Sequence, residues 1–247
     1  WTSRAMPALD LLDLLLIAGV LFLAVFTQTV TGFGMGLVAM PLLTLITDLD
    51  KARPLVSMTV LVTGVTLVVR YRQALNFAAV RGLIGAAMVG VPVGFLLLEV
   101  LPRDWMTHGL GVLVIGYALY ALFSPRIPEF RARAWGMGFG FLGGLFSGAY
   151  NTGGPPAVIW CSGRGWSPQT FKGNLQSYSL VMGMMVLSGH VATGSVTPPV
   201  LLSFAAALPA IAVGIGLGFT LDGRIDALTF RRGVLLLLLL AGVRLLM

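Results

Sequence analysis

The chain has 247 residues, 57% of them hydrophobic and only 10% charged, with a mean hydropathy of +0.93. A soluble domain carries about 25% charged residues, so a water-soluble protein is excluded. The apolar residues fall in blocks such as 82–98, 200–221 and 233–247; this excludes a β-barrel, whose strands alternate apolar and polar residues over about 10 positions. The net charge of +7 and pI near 10.3 do not indicate a nucleic-acid partner. Lys and Arg lie between the apolar blocks or at their ends, where they act as topology determinants.

The first apolar segment, 9–26, follows Arg4 and contains Asp10 and Asp13, with no small-residue cleavage site behind it. We read it as a membrane helix rather than a removable signal. Further along, apolar blocks and breakers predict segments at 35–47, 54–70, 77–98, 105–123, 135–150, 155–163, 170–189, 199–221 and 226–247. Two of these are too short to span: 35–47 covers roughly 20 Å and 155–163 roughly 14 Å, against a hydrocarbon core of about 30 Å. Each is predicted to be a half-helix that starts at a glycine-containing break near the bilayer midplane.

A gapless shift of 120 residues superposes Thr27 on Ser147, Thr31 on Asn151, Gly34 on Gly154, Val38 on Val158 and Ser57 on Ser177. The chain therefore reads as an internal duplication, with a first repeat over 1–123, a linker over 124–134 and a second repeat over 135–247. An odd number of segments in each half predicts inverted topology. Assigned to alternate sides, the 16 Lys and Arg residues divide 11 to 5, with the larger share beside the linker. This predicts a cytoplasmic linker and periplasmic termini, in a multi-pass protein of the bacterial inner (plasma) membrane.

The stretches 27–41 and 147–157 interrupt apolar helices with polar residues and glycines. Irregular backbone at membrane depth is tolerated only where protein buries it or it lines a wet cavity, so two equivalent breaks predict a central site. The amides at the start of each half-helix lack intrahelical partners and carry partial positive charge, which suits an anion. The expected contacts are Thr31, Gly32, Phe33 and Gly34 from one half and Asn151, Thr152, Gly153 and Gly154 from the other. Gln176, Ser177 and Ser57 are further hydrogen-bonding candidates, although both serines have their own helix backbone as an alternative partner. Lys51, Arg53 and Lys172 begin corresponding helices and are expected to draw the anion to the two entrances. Gly36, Gly85, Gly90, Gly140, Gly143 and Gly144 are assigned to close helix packing.

Gly32, Phe33, Gly34, Met35 and Gly36 ahead of Pro41, then Gly153, Gly154, Pro155 and Pro156, then the helix start from Lys172 to Gln176, resemble the TauE/SafE family of sulfite and organosulfonate exporters. The resemblance spans the whole chain and departs from the more glycine-rich motif at Phe33, Asn151 and Thr152. It implies export of a small sulfur-containing anion, such as sulfite or sulfoacetate, by alternating access. Other readings are an anion channel, an exporter of another small anion and, most remotely, an intramembrane serine hydrolase using Ser147 and His190. A rhomboid-like serine would have glycine two residues earlier, where this chain has Leu145, so no enzyme is expected. Cys161 is the single cysteine, and His108 and His190 form no ligand cluster, so no metal and no cofactor are expected. The expected partners are the anion and the lipid bilayer, with a homodimer left open.

Overall fold

The computed structural model describes residues 10–123, 132–222, 224 and 227–247. Among these there are ten α-helices and no strand: α1 (Leu11–Thr31), α2 (Met35–Ile46), α3 (Leu49–Tyr71), α4 (Phe77–Val100), α5 (Arg103–Phe123), α6 (Arg133–Tyr150), α7 (Gly154–Ser162), α8 (Pro168–Ala192), α9 (Pro198–Leu221) and α10 (Ala227–Leu246). Every predicted segment is present. Most of the 124–134 linker lies outside the described residues.

Most helix ends lie within three residues of the predicted ones, and two depart further. α1 runs on to Thr31 because the hydroxyls of Thr27, Thr29 and Thr31 each reach the carbonyl four residues back at 2.8 Å, which keeps these polar residues inside the helix. α3 opens at Leu49 rather than Pro54, since the Asp48 carbonyl takes the Lys51 and Ala52 N–H groups, both at 3.0 Å.

Among the described residues, five helices are long and apolar enough to cross a membrane: α1, α3 with the short turn after it, α4, α5 and α9. Their outward faces carry exposed Leu11, Val69, Val89, Val112 and Leu202, an exterior suited to hydrocarbon rather than water. The two short helices, α2 and α7, are the reverse. Leu37, Val38, Met40 and Leu43 of α2, and Ala157, Val158, Trp160 and Cys161 of α7, are buried, each set within its own hydrophobic core.

Four helix pairs make the main contacts. α1 packs on α9 and α6 on α4; α3 packs on α8 and α5 on α10. The 120-residue shift exchanges the first two pairs and maps each of the others onto itself.

Glycines set the directions. Gly140, Gly144 and Gly148 of α6 lie against the carbonyls of Leu83, Ala87 and Val91, so α4 and α6 are parallel and in backbone contact. Gly64 meets Leu180, Gly183 meets Val60 and Gly173 meets Tyr71, so α3 and α8 run antiparallel. Of the six glycines assigned to packing, Gly36, Gly90, Gly140, Gly143 and Gly144 touch a neighbouring backbone or side chain. Gly85 does not: a methyl group there would meet nothing within 4 Å.

Candidate anion site between the two helix breaks

The two breaks meet. α1 ends at Gly32, which takes the left-handed conformation (φ 85°) and returns its N–H to Gln28 at 2.7 Å. Gly34 follows at φ 101°, a value that side-chain-bearing residues rarely adopt, and opens α2. The Thr31 hydroxyl closes this turn, lying 2.7 Å from the Phe33 carbonyl and accepting the Phe33 N–H at 3.3 Å.

In the second half α6 ends at Asn151, the single non-glycine residue with positive φ (54°) among those described. Asn151 and Thr152 send their N–H groups back to Ser147 and Phe146 at 2.8 and 3.2 Å, a Schellman-type closure. Gly36, in the first turn of α2, packs so closely on the Asn151 carbonyl that a methyl group would overlap it.

Between the breaks lies a cavity of about 50 Å³. One water needs about 10–15 Å³ on this measure, so there is room for several waters or one small ion. Phe33, Gly34, Met35, Gly36 and Leu37 line it from one half and Ser147, Asn151, Thr152, Gly153 and Gly154 from the other. Tyr178, Met182 and Val186, one helical row of α8, close it together with Gln28 and Ser179.

No charged side chain is in the lining. The donors are the unpaired first-turn amides of α2, the Gly154 amide, and neutral side chains. Pro155 and Pro156 remove two amides from α7, so α2 supplies more of them. Thr152 is 1% exposed, and its hydroxyl has no hydrogen-bond partner among the described residues. Buried polar groups almost always have a partner, which makes this hydroxyl the first candidate to contact a ligand in the cavity.

Six of the residues expected from sequence therefore line the cavity: Phe33, Gly34, Asn151, Thr152, Gly153 and Gly154. Thr31 and Gly32 do not line it; they form the turn between α1 and α2. Ser57 and Ser177 donate to the carbonyls of Pro54 and Asn174, at 2.9 and 2.8 Å, which is the alternative open to them from the start.

Gln176 lies behind the wall and joins the halves. Its Nε2 donates to the Gly32 carbonyl at 2.7 Å, and its Oε1 accepts from Gln28 Nε2 at 2.9 Å. Gln176→Ala leaves both partners buried and unpaired, at about 1–3 kcal/mol each. Thermal unfolding of the purified variant is expected to show that loss, accompanied by weaker anion binding as the Gly32 turn relaxes.

Gln28, Tyr178 and Ser179 were not singled out from sequence, and Ser147 was weighed only as a repeat equivalent of Thr27 and as a hydrolase nucleophile. Gln28 carried the clearest signal, an uncharged polar side chain one turn before the break.

Lys172 and Arg53 are engaged rather than free. Lys172 Nζ donates to the Val30 carbonyl at the end of α1 at 3.0 Å and pairs with Asp222 at 2.8 Å. Arg53 is buried, donates to the Gly148 carbonyl near the end of α6 at 3.2 Å, and lies over the Phe95 ring at 5.4 Å. Each cation thus meets the negative end of a crossing helix from the opposite half. Lys51 occupies the first turn of α3, beside Asp50, which pairs with Arg103. Ser147 and His190 are not joined as nucleophile and base: His190 packs on Phe95 at 5.2 Å and its Nε2 has no partner.

No curated protein and no solved structure matches the chain. The model of the family described as Sulfite exporter TauE/SafE matches residues 16–245, a span that contains all ten helices except the first turn of α1 and the last residue of α10. Several helices apolar and long enough to cross a membrane, with two short helices starting at a shared cavity, agree with membership in a family of membrane transporters, and the chain belongs to the TauE/SafE sulfite exporter family.

Proposed function

We propose that the chain exports a small sulfur-containing anion, sulfite or an organosulfonate such as sulfoacetate, by alternating access, holding it in the cavity between the breaks. The observation that carries this reading is the cavity itself: α2 and α7 open onto it, a buried hydroxyl in its wall has no partner, and no carboxylate lines it. A desolvated oxyanion gains more from such donors than a neutral solute does. An inside-negative potential then drives export at about 2.3 kcal/mol per charge per 100 mV.

We read the halves, 1–123 and 135–247, as inverted repeats. A two-fold axis lying across the helices turns a helix antiparallel to its counterpart, which is the relation between α3 and α8. Two states are suggested by a difference between the halves. α10 packs on α2, whereas α5 stands away from α7 across an apolar crevice of about 560 Å³ lined by Val112, Gly116, Pro155 and Ile159. In the alternate state we expect this crevice to close and the contact between α10 and α2 to open.

Proteoliposomes test the function. Saturable sulfite flux that is competed by sulfoacetate supports a carrier; single-channel currents indicate a channel, and absence of anion flux or binding overturns the proposal.

The orientation follows from the basic asymmetry, with 124–134 cytoplasmic and both termini periplasmic in the bacterial inner membrane. A cysteine at Ser124 is expected to resist an impermeant thiol reagent in intact cells and to react in inverted vesicles. Labelling in intact cells reverses the assignment.

A further inference from the structure

The seam between α5 and α7 is open, and its counterpart between α10 and α2 is not. Val234, Leu235 and Leu238 of α10 fill that counterpart, leaving only about 20 Å³ beside Leu37 and Val38. Along α5 about 560 Å³ remains. Gly116 in its wall faces open space, where a methyl group would meet nothing within 4 Å.

The walls of this crevice are apolar, with Leu97, Leu113, Leu142, Phe146 and Ile159 among them and no charged side chain. The Tyr150 hydroxyl is turned to the Met106 sulfur at 3.8 Å. From Met106 to Tyr120 the lining residues follow one face of α5 for about 21 Å, longer than the roughly 15 Å of hydrocarbon in one leaflet. Trp105 beside one end, and Trp135 packed on Phe139 at the other, are exposed, as suits residues at the two membrane interfaces. The open side continues onto the lipid-facing exterior through Val112 and Leu142, which are 62% and 45% exposed.

Water gains nothing in such a slot, and wall atoms without neighbours forfeit their dispersion contacts. Hydrocarbon is what the surroundings supply. We propose that the crevice is a binding site for one acyl chain of a membrane phospholipid, which enters between α5 and α6 and lies against Pro156 and Ile159 of α7. The site does not depend on which solute is carried. Gly154 faces the cavity between the breaks while Pro155 and Pro156 face the crevice, so the chain touches the helix that forms part of the cavity wall. A chain lodged there keeps α5 and α7 apart and has to leave before they can close, so its occupancy stabilises the present arrangement.

The test uses the purified full chain in phosphatidylcholine vesicles doped with a phosphatidylcholine that carries a photoactivatable diazirine midway along one acyl chain. Mass spectrometry maps the adducts. Labelling is expected at Pro156 or Ile159, which are buried and half-buried and which a lipid outside the crevice does not reach, as well as at exposed Val89 and Leu202. Gly116→Phe fills the crevice and is expected to lose the α7 adducts while keeping those at Val89 and Leu202. Gly85→Phe adds the same ring where nothing lies within 4 Å, outside the crevice, and is expected to keep both sets.

Adducts confined to the outer surface of the parent, or α7 adducts that persist in Gly116→Phe, overturn the proposal. So does a Val112→Cys protein that forms disulfide-linked dimers in the same vesicles, since a second copy then covers the mouth. Should Gly116→Phe fail to fold, Val112→Trp blocks the mouth from a lipid-facing position and makes the same comparison.

Discussion

Gly36→Ala is expected to lower anion affinity at least tenfold, which corresponds to about 1.4 kcal/mol, although it adds a single methyl group. Alanine is the better helix former, by about 0.5–1 kcal/mol in a helix interior, so the backbone of α2 does not resist the change. The obstruction is across the interface: the new methyl overlaps the Asn151 carbonyl. Asn151 has little freedom to withdraw, being held by the closure at the end of α6 and by its side-chain hydrogen bond to Arg53. α2 must therefore move, and Gly34 to Leu37 separate from Asn151 to Gly154, the two walls of the proposed anion site. Isothermal titration with sulfite on monodisperse protein measures the effect; parent-like affinity shows that the contact between the breaks does not shape the site.

Gly144→Val is expected to have the largest effect on folding. The glycine row at 140, 144 and 148 brings the α6 backbone onto the carbonyls of α4, while Gly90 and Gly94 admit α6 carbonyls in return. A methyl group on Gly144 overlaps the Ala87 carbonyl, and both helix backbones would have to separate to admit a branched side chain. Overpacking a tight core costs about 1–3 kcal/mol, occasionally more, and this contact has no flexible side chain to give way. Gly85→Val is the control: it lies on the partner helix α4 but faces open space, so its effect should stay within about 0.5 kcal/mol. Thermal unfolding of the two variants in detergent makes the comparison, and equal stability would show that the glycine row is not what joins the halves there.

The fold was legible because lipid imposes simple rules on sequence. Apolar blocks of spanning length gave the crossing helices, and the coincidence of glycine with polar residues marked both breaks. Gly32, Gly34 and Asn151 adopt the left-handed conformations that such breaks require. What a short polar side chain does is less legible. Ser57 and Ser177 had two chemically equal partners, the anion or their own helix, and only rotamers decide between them. Gln176 is polar and buried as expected, yet it faces Gly32 and Gln28 because residues on α8 a fraction of a turn apart, such as Tyr178 and Ser179, take the cavity-facing row. Burial of Arg53 depends on Phe95 and Gly148, which are distant in sequence and cannot be anticipated from the first turn of α3. Gly85 looks like any other small residue in a membrane helix until its neighbours are known.

The central claim is that an anion binds between the two breaks, and Thr152→Val tests it most directly. Valine keeps the shape of threonine and removes a hydroxyl that is buried, borders the cavity and has no protein partner. A hydrogen bond to a charged group contributes about 1.5–3 kcal/mol, whereas removing an unpaired buried hydroxyl costs the empty protein nothing. Sulfite affinity and anion-free thermal stability, measured together on the same preparation, should therefore move apart: binding weakens by roughly tenfold to a hundredfold while stability is unchanged or raised. Parent-like sulfite binding in a Thr152→Val protein of undiminished stability would place the anion elsewhere and contradict the account.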